Sequence, residues 1–194
     1  MLIVCGSASS WIQNQLINNH GGLYGRVTCE IRLSPFTLHE CEQFFVENHI
    51  RFSRYDIVQS YMIFGGIPYY LDALDERLSL AQNIDRLFFE KRARFGDEYD
   101  RLFASNFGSP ESMKAIVNVL YIQKYGYTRK ELSDIAGLPT GGALTAGLKA
   151  LEASDFIEKY VPFGKGKREA RYRLIDPFCL FYLHFVSEDR KSVV

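Results

Sequence analysis

The feature that most constrains this chain is a Gly-Gly-Ile-Pro break inside an apolar, aromatic stretch, residues 61–71. Glycine adopts backbone angles that other residues resist, and proline fixes φ and has no N–H, so two half-helices should meet here. A residue before proline avoids the helical region, so we expect Ile67 to be extended and Pro68 to begin a helix. Either this is a plain corner between helices, or its exposed backbone contacts a ligand.

Length and composition indicate a globular protein with one large domain or two small ones, because 47% of its 194 residues are hydrophobic and 24% charged. The net charge is zero, so any affinity for nucleic acid must be local. No apolar run approaches the length of a membrane span, and we expect a cytoplasmic protein with no membrane partner. The cysteines are scattered and predicted to be four buried, reduced thiols: Cys5, Cys29, Cys41 and Cys179.

The first 37 residues predict strand, helix, strand. Residues 2–5 form a short apolar run ended by Gly6, which is typical of a strand covered on both faces. Residues 11–18 predict a helix, and residues 27–33 alternate apolar with polar, as a half-buried strand does. A parallel strand needs neighbours, so we expect further strands upstream of this piece.

Residues 38–107 are predicted to be helical throughout and to form a small bundle, since apolar residues recur there at three- and four-residue spacing with charged residues between them. A helix is expected at 38–47. The Phe-Gly-Ser-Pro sequence at 107–110 is the clearest linker signal, with the proline beginning a new helix.

Residues 109–178 predict the element order of a winged helix-turn-helix: three helices, then a hairpin. Thr128 and Glu131 form a capping box for the second helix. The expected elements are helices at 113–121, from 128 and at 143–153, and strands at 156–161 and 171–175. Residues 177–186 are almost wholly apolar but too short to span a bilayer, so we expect a buried helix or one that lacks its partner.

Several kinds of chemistry are disfavoured by the residues present. The four histidines stand in unrelated contexts and no Gly-x-Ser-x-Gly occurs, which argues against a hydrolase triad. No glycine-rich loop ends in Gly-Lys-Ser/Thr, and no strand ends in paired acids that could hold Mg²⁺. We therefore predict no metal site and no complete phosphoryl-transfer site in this chain.

The hairpin is the one strongly basic place. Glu169 is the single acid among residues 159–173, which carry six Lys or Arg. Such a wing suits non-specific contact with DNA phosphates, and the candidate contacts are Lys165, Lys167, Arg168 and Arg171. The third helix has no Arg, Asn or Gln to distinguish bases. A protein contact or a purely structural role for the winged helix stays open.

Three stretches together resemble a known family. They are Leu-Ile-Val-Cys-Gly-Ser-Ala-Ser-Ser-Trp at 2–11, Gly-Leu-Tyr-Gly-Arg at 22–26 and Ile-Arg-Leu-Ser-Pro-Phe at 31–36. They resemble the region after Walker B in the archaeal-type AAA+ ATPases, which lie close to the STAND NTPases. Gly66-Ile67-Pro68 is similar to the Gly-x-Pro motif of that group's lid, and residues 172–178 are similar to the end of its winged helix.

The resemblance implies roles for individual residues. Ser7 would be the sensor-1 residue, with a helix cap as the alternative. Arg26 would be an arginine finger or phosphate sensor, with an ion-paired surface arginine as the alternative. Gly65, Gly66 and Pro68 would line the adenine or ribose side of a nucleotide, which in the complete protein is ATP with Mg²⁺.

The resemblance also implies a division of the chain: a remnant of an α/β P-loop ATPase core at 1–37, a helical lid at 38–107, a winged helix at 109–178, and an apolar helix and tail at 179–194. The expected fold class is mainly α with some β.

Walker A and Walker B are missing, so we expect either a truncated chain or one that an upstream polypeptide completes. By itself the chain is not expected to hydrolyse ATP, and its incomplete core offers a surface for self-association. The rivals are a stand-alone winged-helix DNA-binding regulator with an amino-terminal oligomerisation region, and a non-functional fragment held together by dimerisation.

Overall fold

The computed structural model describes residues 28–29, 31, 33–138 and 141–187. Its helices are α1 (Leu38–Glu47), α2 (Arg54–Phe64), α3 (Pro68–Leu71), α4 (Leu80–Ile84), α5 (Glu98–Asn106), α6 (Pro110–Ile122), α7 (Arg129–Ala136), α8 (Gly142–Ala153) and α9 (Pro177–Phe181). Its strands are β1 (Tyr127–Thr128), β2 (Ile157–Tyr160) and β3 (Arg171–Leu174). The described part is mainly helical with one small sheet, which confirms the predicted class of mainly α with some β.

The described residues fall into two compact units, and the division lies within α5. We call residues 33–101 and 176–187 the helical unit. Residues 102–138 and 141–175 are called the sheet unit. The described helix α9 thus belongs with α1–α4 although more than seventy residues separate them in sequence.

Local sequence signals explain where four helices begin. A Ser or Thr before the helix accepts a backbone N–H, while the acid or amide three residues later accepts the N–H of the capping residue. The pairs are Thr37–Glu40 for α1, Ser53–Asp56 for α2, Ser79–Gln82 for α4 and Thr128–Glu131 for α7. The predicted box at Thr128 and the predicted helix at 38–47 are confirmed.

The core of the helical unit is aromatic. Phe64 lies 5.9 Å from Phe88 and Tyr70 lies 4.9 Å from Phe178, measured between ring centroids. Both pairs join segments distant in sequence, and each phenylalanine in them is at most 2% exposed. The described part of the C-terminal helix, α9 and its π-helical continuation Tyr182–Val186, is buried here along one face, so its apolar sequence has a partner.

Side-chain hydrogen bonds of buried Asn83 close the loop between α3 and α4. Its Oδ1 accepts the Asp75 N–H at 2.7 Å, and its Nδ2 donates to the carbonyls of Leu78 and Ser79. Residues 72–79 are therefore an ordered non-helical loop, and the prediction that 38–107 is helical throughout is wrong at this point.

The sheet unit has a three-stranded antiparallel sheet in the order β1-β3-β2. Ile157 pairs with Leu174 across β2 and β3, and both are buried. The unit's core also contains fully buried side chains from four helices: Phe103, Ile116, Leu120, Leu132, Leu148 and Leu151. The predicted strands at 156–161 and 171–175 are present as β2 and β3, whereas β1 was not predicted.

Two expectations about the beginning of the chain are wrong where they can be examined. Positions 28, 29, 31 and 33 do not form a strand, and Ile31 and Leu33 are exposed. An alternating pattern forms a strand only beside a hydrogen-bonding neighbour, and no described residue pairs with this segment. Cys29 is also exposed, whereas Cys41 and Cys179 are buried free thiols as predicted. The strand predicted at 2–5 and Cys5 lie outside the described residues.

Candidate functional site

Two of the predicted site residues, Ser7 and Arg26, lie outside the described residues. Their sensor and arginine-finger roles stay predictions. The other candidates fall into two places: the Gly-Gly-Ile-Pro break in the helical unit and the β2–β3 hairpin in the sheet unit.

The break is a tight corner that needs both glycines. Gly65 ends α2 in the left-handed conformation at φ 65°, and its N–H donates to the carbonyl of Tyr61. Gly66 is also left-handed at φ 72° and is buried. A Cβ on Gly66 would lie 2.1 Å from the carbonyl oxygen of Phe36, and the Phe36 N–H donates to the Gly66 carbonyl at 2.8 Å. The close approach of the 33–36 segment thus accounts for Gly66.

The residues after the glycines follow the sequence prediction. Ile67 is extended at φ −80° and ψ 116°, and Pro68 is the first residue of α3, as expected. Pro68, Tyr69 and Met62 are exposed, which leaves an apolar surface beside the corner. The guanidinium of Arg94 lies 5.1 Å from the centre of the Tyr69 ring, a cation that the sequence analysis did not identify. This surface has the chemistry to hold a flat ring but supplies no phosphate cradle.

The tip of the hairpin is held by successive turns. The Lys165 N–H donates to the Pro162 carbonyl across Phe163 and Gly164, and Gly164 has φ 75°. A positive φ at the third position is the pattern of a type II turn, which explains the glycine. A 3₁₀ turn, Lys167–Glu169, follows at once. The loop is thereby ordered by its own backbone.

Some charged side chains at the tip of the hairpin have ion-pair partners and others do not. Lys165 pairs with Glu169 at 3.0 Å, and this ion pair, with the Gly166 N–H, lowers the pKa of the Glu169 carboxyl. Lys167 and Arg168 are exposed, and neither has an ion pair with any described residue. At the tip of the hairpin, these two cations are therefore available to an anionic ligand.

Basic side chains on the strands have structural partners. Arg171 donates to the Gly126 carbonyl at 2.8 Å and lies 3.6 Å from Glu131. Arg173 pairs with Glu158. Arg171, one of the four predicted DNA contacts, therefore joins β3 to the start of β1 and to α7, and its guanidinium is engaged within the unit.

The outer face of α8 offers little for reading bases. Its exposed residues are Gly142, Ala143, Ala146, Lys149 and Glu152. None of them is an Arg, Asn or Gln that could form paired hydrogen bonds with a base edge. The exposed residues of α8 therefore offer no side chain suited to sequence-specific base contacts.

The zero net charge conceals a separation between the two parts of the sequence. Residues 102–175 carry eleven Lys or Arg against seven Asp or Glu, a net charge of +4. Residues 33–101 with 176–194 carry ten against fifteen, a net charge of −5, and residues 1–32 carry the remaining +1. The excess of positive charge that would attract a polyanion therefore lies in residues 102–175, which contain the hairpin.

A cleft beside the α3–α4 loop is lined by charges that pair with one another. An open cleft of about 390 Å³ in the helical unit is lined by charged residues including Asp75, Arg77 and Arg86. Asp75 pairs with both arginines, at 2.9 and 3.3 Å, so their charges are largely compensated. No group of three or more His, Cys, Asp or Glu among the described residues could hold a metal ion.

Comparison with known proteins found a similar archaeal protein. The uncharacterized protein MJECL04 of Methanocaldococcus jannaschii is 26% identical over 194 residues, which cover 99% of this chain and 42% of that protein. The chain thus spans less than half the length of this curated relative. No protein-family model and no solved structure matches the chain. Among the described residues, no helix is long and apolar enough to cross a membrane.

Proposed function

We propose that the chain is the carboxy-terminal part of an AAA+/STAND-like ATPase, with the helical unit as its lid and the sheet unit as a winged helix. In the complete protein, ATP with Mg²⁺ would change the position of the lid, and the winged helix would transmit that change to nucleic acid. The arrangement of the sheet unit carries the proposal: α6, α7 and α8 precede the β2–β3 hairpin, and β1 pairs with the other edge of β3. This is the order of a winged helix-turn-helix.

The similarity to part of a longer protein supports this proposal. The chain aligns over nearly its whole length with 42% of MJECL04, so the rest of that relative is longer than this chain. That remaining length is sufficient for the P-loop half of an ATPase core. The activity of such a longer protein is part of the proposal.

At the corner between α2 and α3, the exposed surface of Pro68, Tyr69 and Met62 would contact the base or ribose of the nucleotide. Its apolar character suits the flat face of adenine. The phosphates would be held by residues other than those of the corner. Phe36 occupies the space beside Gly66, and the N–H groups of Gly65 and Ile67 already donate to carbonyls of α2. The chain alone should therefore bind ATP weakly and hydrolyse none.

Amide NMR with added ATP and Mg²⁺ tests the nucleotide half of the proposal. Shift changes should be confined to the corner and to Tyr69 and Arg94, and they should not saturate at micromolar nucleotide. Tight ATP binding would contradict the proposal that the site is incomplete. An absence of changes at the corner at millimolar nucleotide would contradict the proposal that it faces a nucleotide.

The second candidate function is a stand-alone winged-helix DNA-binding regulator. The separation of charge favours it, since residues 102–175 alone carry the net charge of +4 and need no nucleotide to attract DNA. Duplex binding without any response of the corner to ATP would favour the regulator over the ATPase part.

A further inference from the structure

Phe163 is the feature of the hairpin that the charge pattern did not reveal. Its side chain is fully exposed, more so than any other large hydrophobic residue in the described part of the chain. An isolated exposed apolar residue is ordinary on a protein surface. Phe163 differs because of how it is held and what surrounds it.

Phe163 is presented on an ordered turn. The hydrogen bond from Lys165 N–H to Pro162 carbonyl spans it, and Gly164 supplies the positive φ that the turn requires. The preceding proline has a fixed φ, so little backbone freedom is left to lose on binding. A ring held outward in this way is preorganised for insertion into a partner.

The surroundings of Phe163 are cationic. Lys167 and Arg168 follow within five residues, and the only acid of the loop, Glu169, is paired with Lys165. An apolar wedge flanked by available cations matches a duplex groove, which offers phosphates at its edges and stacked bases inside. A membrane surface would demand more apolar area than the exposed Phe163 and Val161 supply.

We propose that Phe163 is a wedge that inserts between base pairs of duplex nucleic acid while Lys167 and Arg168 contact the flanking phosphates. The inference rests on the proposed winged helix and specifies how its hairpin binds. Insertion of this kind needs no base-reading side chains on α8. The affinity for a given duplex would instead depend on how easily one of its base steps opens to admit the ring.

The test compares the full chain with two variants by fluorescence anisotropy on a short random-sequence duplex over a series of salt concentrations. Phe163→Ala should weaken binding roughly 5- to 100-fold with no change in the slope of log affinity against log salt, because stacking is lost and no charge is removed. Lys167→Ala with Arg168→Ala should lower the magnitude of that slope by roughly 2. Tyr55→Ala, which removes an exposed aromatic ring from the helical unit, is the matched control and should bind as the wild type does.

A second measurement identifies insertion directly. The fluorescence of 2-aminopurine in the duplex should increase on binding wild type or Phe163→Trp, and should not increase on binding Phe163→Ala.

If Phe163→Ala matches wild type in affinity while the double variant weakens binding, the wedge is wrong and the basic hairpin remains as the contact. If neither variant changes affinity, both the Phe163 wedge and the phosphate contacts of Lys167 and Arg168 are wrong. Loss of binding to anionic vesicles in Phe163→Ala, with no duplex binding by wild type, would overturn the proposal in favour of a membrane contact.

Discussion

The carbonyl oxygen of Phe36 lies only 2.1 Å from the position that a Cβ on Gly66 would occupy. The same two residues share a hydrogen bond of 2.8 Å from the Phe36 N–H to the Gly66 carbonyl. The segment that enters the helical unit is thus attached to the corner between α2 and α3. A nucleotide that moved this corner would also move the entering chain.

Replacing Gly66 by alanine should destabilise the helical unit by about 2–5 kcal/mol, because the left-handed φ and the clash with Phe36 both oppose a side chain. Gly164→Ala is the matched control: its φ is similar at 75°, but a Cβ there meets nothing within 4 Å. The control should cost only about 1–2 kcal/mol. Hydrogen exchange measured peptide by peptide would detect both effects, and equal costs would show that the Phe36 contact is unimportant.

Arg171→Ala should destabilise the sheet unit by about 1–3 kcal/mol, since it removes the hydrogen bond to Gly126 and the ion pair with Glu131. Arg168→Ala removes the same charge from an exposed position and should change stability by less than about 0.5 kcal/mol. Chemical denaturation of the two variants separates an arginine with structural partners from an exposed one. A larger loss of stability in Arg168→Ala than in Arg171→Ala would contradict the structural role assigned to Arg171.

Asp75 should make the stability of the α3–α4 loop depend on pH. Hydrogen bonds from Arg77, with the charge of Arg86 beside it, hold the pKa of the Asp75 carboxyl well below its usual range. A depressed folded-state pKa stabilises the protein above the unfolded-state pKa, and the contribution is lost as pH falls through the folded-state value.

Amide exchange in residues 72–86 should therefore accelerate as pH falls below about 4, after correction for the intrinsic exchange rate. Asp75→Asn should show the faster exchange already at neutral pH and a weaker dependence on acid. Asp72→Asn, at an exposed acid of the same loop, should behave as the wild type does. Equal pH dependence in wild type and Asp75→Asn would exclude this explanation.

The described thiols should differ sharply in reactivity. Cys29 is exposed, whereas Cys41 and Cys179 are fully buried, and burial raises the pKa of the Cys41 thiol to about 11. Maleimide should modify Cys29 in the native protein and reach the other two only in denaturant, because the thiolate is the reactive form. Peptide mass mapping gives the result. Rapid native labelling of Cys179 would show that α9 does not stay packed in the helical unit.

Local signals in the sequence were sufficient for the helix starts and the corner. Capping boxes and prolines act within three or four residues, so the start of α1, the Thr128 box and the roles of Ile67 and Pro68 could be predicted. The same applies to the hairpin, where strands of mixed apolar and charged residues flank a glycine-rich basic loop.

Long-range pairing explains what could not be predicted. The Arg171 contact with Gly126 spans 45 residues, so the arginine resembled any other basic residue of the hairpin. The two-residue strand β1 exists only because β3 lies beside it. Exposure of Phe163 depends on which face of the turn is covered, and a phenylalanine in the sequence is more often predicted to be buried.

The most direct test of the central proposal is an amide NMR titration of the full chain with a short duplex. The account predicts shift changes concentrated at residues 163–168 of the hairpin, with few in the acidic helical unit, and their loss at high salt. An absence of changes in the hairpin, or changes concentrated in residues 33–101, would contradict the proposal that the sheet unit is a nucleic-acid-binding winged helix.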